Sequence, residues 1–160
     1  MAEPKPKTPR RKKRAAEPAS RGVAAREVSS GTPPAEIGRL QERIAADGGT
    51  VLTAYRDPLG GNWQVFAALP IESVEPTPYQ RDLSQPHVAR LTDAIDRLGR
   101  FLDPIIVVPA AEGRYWTPNG NHRLAALRGM GARSVVALVV PEPEVAHRIL
   151  VLNTEKAHNL

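Results

Sequence analysis

Four consecutive residues in the C-terminal third have chemistry suited to an anion: Gly120, Asn121, His122 and Arg123. They stand between an extended segment, GRYWTP, and a helical pattern, so the glycine marks a helix start. The first backbone N–H groups of a helix lack intrahelical partners and lie at the positive end of its dipole, which favours a phosphate or carboxylate. The sequence therefore predicts an anion site at this turn.

Each side chain of this turn has a chemical role in such a site and a plain structural alternative. The Arg123 guanidinium offers forked donors that suit a phosphate, but it could equally pair with a surface carboxylate. The His122 imidazole can donate to a phosphate or transfer a proton near neutral pH. Asn121 can cap the helix or reach a ligand. A ligand site and a simple helix start both remain open at this point.

The last helical pattern places two polar residues on an apolar face. Pro143 opens this helix, which we expect to continue to Leu160, with an apolar stripe at helical spacing formed by Val145, Ile149, Leu152 and Leu160. Asn153 and Lys156 fall within the same stripe. Polar groups on an apolar face are costly unless paired, so we expect them to line a cleft. The alternative is a frayed chain end, from which Lys156 extends to solvent.

The surrounding elements predict a small mixed sheet with packed helices. An N-terminal helix ends at Gly48–Gly49, and TVLTAY and WQVFAALP flank RDPLGGN as a β-hairpin. A proline-rich loop, EPTPYQRDLSQP, precedes a helix from Pro86 to Leu98 that Ser84 caps. The runs PIIVVPA and SVVALVV predict buried strands on either side of the Gly120 turn. The fold class predicted is α+β, or mixed α/β.

The positive charge of the chain lies at its N-terminus. The net charge is +5, but residues 1–21 hold eight Lys or Arg and two Glu, so the rest of the chain carries −1. Residues 1–34 have few large apolar side chains, so we expect a disordered basic tail. This tail is a solubilising arm, a non-specific contact to DNA, or both. The DNA contact would use a basic run: Arg10, Arg11, Lys12, Lys13 and Arg14.

Composition excludes several classes of function. The chain has no cysteine, which rules out disulfides, thiolate metal sites and a cysteine nucleophile. No apolar run approaches the roughly 20 residues that span a bilayer. The basic N-terminus is not followed by the apolar stretch of a secretory signal. We therefore expect a cytoplasmic protein with no membrane partner.

Four segments, in the same order and spacing, resemble the N-terminal domain of the ParB family, which has the ParB/sulfiredoxin fold. LPIESVEPTPYQRDLS resembles the first strand and the NPYQPR loop, and VARLTDAIDRLGRFLDPIIVVPA resembles LAESIREHGVLQPIVVRP. GRYWTPNGNHRLAALRGMGARSVVALVV resembles GRYEIIAGERRWRAARLAGLKTIPVIV, and ILVLNTEKAHNL resembles the helix that carries ENLQR. The resemblance covers residues 69–160, which we expect to form a ParB-like domain. Composition and pattern place the tail at 1–34 and a helix-plus-hairpin extension at 35–68 before it.

The resemblance implies a module that binds CTP, or another nucleotide, with Mg²⁺ and works on DNA in plasmid or chromosome partitioning. It also implies weak nucleotide hydrolysis, a homodimer formed on nucleotide binding, and association with the nucleoid. Gly120 and Arg123 match the phosphate-binding GERR turn, while Asn121 and His122 complete that turn. Gln80 and Arg81 match the loop that faces the triphosphate in the family. Asn153 and Lys156 match the ENLQR helix. We expect any catalytic role to fall on His122 and Asn153.

Departures from the family pattern bear on catalysis. Asn121 and His122 replace Glu and Arg, and Leu152 replaces the Glu that helps hold the metal. Losing a carboxylate beside a Mg²⁺–triphosphate weakens metal binding and catalysis more than nucleotide docking. GNHR also resembles the GCHR of sulfiredoxin, but Asn121 occupies the cysteine position, which excludes that chemistry.

Three functions remain open from the sequence. The first is a nucleotide-binding module that works with DNA, and the second is an enzyme of this fold that transfers phosphoryl groups or cuts nucleic acid through His122. The third is a DNA-binding accessory protein with a vestigial pocket. The family's helix-turn-helix reader does not appear, and the chain ends inside a helix pattern. We therefore expect a fragment or a degenerate stand-alone module.

Overall fold

The computed structural model describes residues 20–78 and 82–157, with side chains described as far as residue 152. Within these residues the chain forms four α-helices: α1 (Ala35–Ala46), α2 (Gln85–Leu98), α3 (Asn121–Gly129) and α4 (Glu144–Ala157). It also forms six strands: β1 (Thr50–Arg56), β2 (Trp63–Pro70), β3 (Val74–Pro76), β4 (Ile105–Pro109), β5 (Tyr115–Thr117) and β6 (Ser134–Val139). This mixture of helices and strands confirms the predicted α+β class. None of the described helices has the length and hydropathy that a membrane-spanning segment needs.

The strands form one mixed sheet in the order β1-β2-β6-β4-β5-β3. The predicted hairpin is confirmed, because β1 pairs antiparallel with β2 from Thr50 opposite Ala68 to Arg56 opposite Trp63. The β4–β6 and β3–β5 pairs are parallel, and the β2–β6 and β4–β5 pairs are antiparallel. The prediction that Glu75 and Pro76 are loop is wrong. Both residues belong to β3, which is held by pairing with β5, a partner some 40 residues away that no local pattern reveals.

Helix α2 begins and ends as predicted. The Ser84 hydroxyl accepts a hydrogen bond from the His87 N–H at 3.4 Å, and Pro86 lies in the first turn, where its missing N–H costs nothing. Gly99 ends the helix in the left-handed conformation, with φ of 69°. The helix contributes no fully buried residue, and its partly buried side chains face α3.

The hydrophobic core joins the predicted extension to the rest of the fold. Helix α1 inserts three buried side chains, Ile37, Leu40 and Ile44, into the same cluster as Leu69 of β2 and Leu124 of α3. Their i, i+3, i+7 spacing places all three on one face of the helix. Residues 35–68 are therefore part of the core that supports the Gly120 turn.

Polar contacts fix α1 to the turn between β4 and β5. The Arg43 guanidinium donates to the carbonyls of Ala110, Ala111 and Arg114 at 2.8 to 3.2 Å. The Tyr115 hydroxyl donates to the Asp47 carboxylate at 2.7 Å. Burial and the neighbouring Asp47 charge both raise the pKa of Tyr115, so its hydroxyl stays a donor at any physiological pH.

Part of the predicted tail packs on the hairpin. The Val23 N–H donates to the Pro58 carbonyl and the Arg56 N–H donates to the Val28 carbonyl, each at 2.8 Å. The packed chain therefore begins before the predicted boundary at residue 34, because these non-local hydrogen bonds outweigh a low apolar content. The basic run predicted to contact DNA, Arg10, Arg11, Lys12, Lys13 and Arg14, lies outside the described residues.

Candidate functional site

Gly120 is required by close packing beneath the start of α3. Its N–H donates to the Thr117 hydroxyl at 3.1 Å, and its carbonyl accepts the first helical hydrogen bond, from Leu124 N–H at 2.8 Å. A Cβ at this position would lie 2.6 Å from Cγ2 of Ile105 and 2.7 Å from Oγ1 of Thr117. Its φ is −112°, a value open to any residue. The glycine therefore lets the turn approach β4, which positions the first amides of α3.

The N-termini of α2 and α3 meet at this turn. Nε2 of His122, in the first turn of α3, accepts a hydrogen bond from the N–H of Ser84, the residue that caps α2, at 3.1 Å. The His87 ring, in the first turn of α2, stands edge-on to the His122 ring with centroids 4.6 Å apart. Sequence reasoning missed His87, because the two histidines lie 35 positions apart. We call this meeting of the two helix starts the helix junction.

The helix junction has an unusual charge pattern. Helices α1 and α4 carry Glu36 and Glu144 in their first turns, as helix dipoles favour, whereas neither α2 nor α3 has an acidic residue there. Each helix N-terminus is equivalent to roughly half a positive charge. Two such ends face each other without an acidic side chain in either first turn, and this arrangement favours an anion between them.

The surroundings of His122 favour the neutral form of its imidazole. Burial lowers its pKa, and the neighbouring His87 lowers it further. Because Nε2 accepts from Ser84, the proton of the neutral ring is on Nδ1. His122 thus offers the junction one N–H donor, while the lone pair that a general base would need is already engaged.

The Arg123 side chain contacts the segment before β4 and the residue that precedes Gly120. Its guanidinium pairs with the Asp103 carboxylate at 2.9 Å and donates to the carbonyls of Pro104 at 3.0 Å and Asn119 at 3.2 Å. The Arg123 side chain is only 17% exposed. These contacts tie the segment before β4 to the α3 turn. They match the structural alternative that the sequence left open, and the phosphate-binding role of Arg123 stays a prediction.

The other predicted site residues are only partly within the described chain. Asn121 is the first residue of α3 and is partly buried. Gln80 and Arg81 lie outside the described residues, in the loop that leads to Ser84. Asn153 and Lys156 lie within α4, but the description of side chains ends at residue 152. Their predicted roles stay predictions.

Helix α4 packs through only part of the predicted apolar stripe, because Val145 and Ile149 are partly buried. Ala146 is buried, whereas Leu152 is 58% exposed. The prediction that Leu152 shares the buried face is therefore wrong. Ile149 and Leu150 are partly buried, and the helix packs on β4.

A cleft of about 500 Å³ lies between α4 and the ends of β3 and β5. Six of the residues lining it are Thr77, Pro78, Trp116, Pro143, Ala146 and Leu150. Thr77 is 8% exposed, and its hydroxyl has no hydrogen-bond partner among the described residues. The carboxamide oxygen of Asn119, next to Gly120, is also buried and has no partner in the part of the chain that the structure describes. Buried polar atoms are normally paired, so these two oxygens point to a bound group. Sequence reasoning singled out neither residue.

Protein ligands for a metal ion are scarce in this region. Among the described residues, no group of three or more His, Asp or Glu side chains lies close enough to hold a metal. Asp103 is engaged by Arg123, and Leu152 stands at the position where the resemblance implies a carboxylate. The side chains that the structure describes therefore do not form a Mg²⁺ site.

Comparison with solved structures finds several proteins with partial similarity. The C-terminally truncated chromosome-partitioning protein ParB from Caulobacter crescentus, complexed with CTP-gamma-S, is 23% identical over 59% of this chain and 53% of its own, with a TM-score of 0.48. Sulfiredoxin from Arabidopsis thaliana is 25% identical over 53% of this chain and 96% of its own, with a TM-score of 0.44. SbnI from Staphylococcus aureus is 19% identical over 48% of this chain and 31% of its own, with a TM-score of 0.44.

The family assignment rests on sequence. The chain spans about half of the Caulobacter ParB chain and about a third of SbnI. Comparison with curated proteins gives no match. The ParB N-terminal domain family matches residues 59–154, more than half of the chain, and this range contains the helix junction and most of the cleft-lining helix. The chain therefore belongs to the ParB N-terminal domain family.

Proposed function

We propose that this chain is a nucleotide-binding module of the ParB type, with the phosphates of the nucleotide at the helix junction. The observation that carries the proposal is the meeting of two helix N-termini, joined by the Ser84–His122 hydrogen bond, without an acidic residue in either first turn. The donors available there are the first backbone amides of α3 and the Nδ1–H of His122. Family membership supports the same assignment.

CTP is the nucleotide that the resemblance implies, and we expect it to bind without efficient hydrolysis. The described residues offer no carboxylate set for Mg²⁺, so any Mg²⁺ would arrive bound to the phosphates. The Nε2 lone pair of His122 is engaged by Ser84, which argues against His122 as a general base. These two features favour binding over the phosphotransfer and nuclease alternatives.

DNA is the second proposed partner. The basic run in the tail carries the charge that a non-specific DNA contact needs, while the remainder of the chain is close to neutral. In a cytoplasmic, nucleoid-associated role, nucleotide binding would control a homodimer that acts on DNA in partitioning. Because the chain spans only part of the ParB protein it resembles, these activities of the whole protein are proposals for this chain.

Calorimetric titration of the full chain tests the nucleotide proposal. CTP and inorganic tripolyphosphate should each bind, and each should displace the other, because both place phosphates at the helix junction. Binding of neither ligand at millimolar concentration would refute the proposal. Titrating with and without Mg²⁺ separates metal-assisted from direct phosphate binding.

Two substitutions at His122 distinguish the effect of a negative charge on CTP binding from an effect on folding. His122→Glu puts a carboxylate in the first turn of α3, where the helix dipole tolerates it but a phosphate is repelled. We expect at least about tenfold weaker CTP binding, equivalent to about 1.4 kcal/mol. His122→Gln, which keeps an acceptor for Ser84, should lose less. Ala94→Glu adds the same charge to an exposed position of α2 and is the control; equal affinity of the two Glu variants would contradict the proposal.

A further inference from the structure

Two imidazole rings meet at the helix junction, and only one of them has been given a role. His87, in the first turn of α2, stands edge-on to His122, in the first turn of α3, with ring centroids 4.6 Å apart. The His87 side chain is exposed, whereas His122 is partly buried. His87 is therefore a titratable group that a ligand at the junction can reach.

The contacts of the two residues decide which ring can carry a proton. Nε2 of His122 accepts the Ser84 N–H at 3.1 Å, so protonation of His122 at Nε2 would break that hydrogen bond. The hydrogen bond of His87 at the junction uses its backbone N–H, which donates to the Ser84 hydroxyl at 3.4 Å. A charge on the His87 ring leaves both of these hydrogen bonds in place, so His87 is the better proton acceptor of the pair.

The surrounding charges do not offset a proton on His87. Among the described residues, no carboxylate lies within ion-pair distance of His87, and the Asp103 carboxylate is paired with Arg123. The remaining charged side chains of α2 and of the loop before it are all exposed: Asp82, Arg90, Asp93, Asp96 and Arg97. Both helix ends at the junction are positive. A phosphate at the junction would therefore supply the negative charge that a protonated His87 lacks.

We propose that His87 is a second phosphate-binding side chain of the helix junction, and that a phosphate and a proton from solvent bind there together. The protonated ring donates a charge-assisted hydrogen bond to the phosphate, and the phosphate offsets the repulsion between the ring and the two helix ends. Because such coupling is reciprocal, phosphate promotes protonation of His87, and protonation strengthens phosphate binding. The proposal rests on the proposed function and adds its regulation, since nucleotide affinity then rises as the pH falls through the histidine range.

Calorimetric titration of the full chain with CTP at pH 5.5 and pH 7.5 tests the coupling. At pH 5.5 the wild type should bind CTP about three- to tenfold more tightly than His87→Gln, because only the wild type gains the charged donor. At pH 7.5 the two proteins should bind CTP nearly equally. Protonation of CTP itself changes both affinities by the same factor, so it cancels in the comparison. His147→Gln removes an exposed histidine of α4 and is the matched control, which should follow the wild type at both pH values.

Ring NMR of the chain labelled with ¹⁵N-histidine identifies the proton acceptor. Saturating tripolyphosphate should move the titration of the His87 ring to higher pH and leave that of the His147 ring unchanged. The His87→Gln variant assigns the His87 resonances, because they are missing from its spectrum. Thermal melting at both pH values checks that each variant is folded.

The outcomes separate this proposal from the proposed function. If CTP and tripolyphosphate bind but His87→Gln has wild-type CTP affinity at pH 5.5, His87 takes no part and the phosphate site stands without it. A His87 ring whose titration tripolyphosphate leaves unchanged would equally overturn the coupling. If neither ligand binds at either pH, the proposed function fails and the coupling fails with it.

Discussion

At the scale of single residues, the helix junction depends on the protonation state of His122. The neutral ring accepts from Ser84 N–H, and a protonated ring would lose that hydrogen bond. Protonation would also place a positive charge beside His87, 4.6 Å away between ring centroids, and between two positive helix ends. The fold therefore favours the neutral form, in agreement with the lowered pKa of His122.

Because the pKa of His122 is lower in the folded chain than in the unfolded chain, the free energy of unfolding depends on pH. Below the ordinary histidine pKa of 6.5, the unfolded chain binds a proton at His122 more readily than the folded chain does, so stability falls as pH decreases. The stabilisation is fully present above pH 6.5. We expect a lower free energy of unfolding at pH 5.5 than at pH 7.5, measured by urea denaturation.

His122→Gln is the control for this dependence. Glutamine keeps an acceptor but does not titrate, so the variant should lose less stability than the wild type between pH 7.5 and 5.5. An identical loss in both proteins would show that groups other than His122 account for the pH effect.

Residue roles in the site were only partly predictable from sequence. The turn at Gly120 was found because glycine, amide, imidazole and guanidinium are adjacent in the chain. The contacts of Arg123 with Asp103 and Pro104, and of His122 with Ser84, span 19 to 38 positions. Local pattern contains no information on such contacts, so the sequence left the role of Arg123 open and gave no sign of Thr77 or His87.

At the scale of elements, the start of α3 is set by a glycine that packs against β4. Gly120→Ala should destabilise the fold by about 1–3 kcal/mol, because its Cβ would overlap Ile105 and Thr117. Gly129→Ala is the matched control in the same helix, where a Cβ meets no atom within 4 Å. That variant should be neutral or gain up to about 1 kcal/mol. Urea unfolding measures both, and equal stability of the two variants would contradict the packing role of Gly120.

Helix α1 is expected to be essential to the fold, although the family match begins after it, at residue 59. Ile44 is fully buried, so Ile44→Ala should lower the free energy of unfolding by about 2–5 kcal/mol. Leu52→Ala, at a side chain that is 52% exposed, is the control and should cost far less. A small effect of Ile44→Ala in urea denaturation would mean that α1 is a dispensable addition.

The elements that local pattern predicted well are those with strong periodicity or clear end signals. These are α1, the hairpin, α2 with Ser84 and Gly99, and the buried strands β4 and β6. The residues of β3 and the burial of Leu152 on α4 were predicted wrongly, because each depends on a tertiary partner. Three residues such as Val74–Pro76 become a strand only when β5 lies beside them.

At the scale of the whole molecule, the positive charge is concentrated at the N-terminus of the sequence. The first 21 residues carry +6 and the others −1, so any non-specific DNA affinity is expected to come from the tail. Replacing Arg10, Arg11, Lys12, Lys13 and Arg14 by Gln should weaken DNA binding and reduce the slope of log K against log salt by up to about 4. Fluorescence anisotropy with a labelled duplex measures both quantities. Unchanged binding by this variant would place the DNA contact elsewhere in the chain.

The central claim is that a nucleotide places its phosphates at the helix junction, and amide NMR tests it most directly. On titration of the full ¹⁵N-labelled chain with CTP and Mg²⁺, the largest shifts should fall on the amides of residues 120–124 and 84–88. Saturable CTP binding with these amides unmoved, and the shifts located elsewhere, would contradict the account.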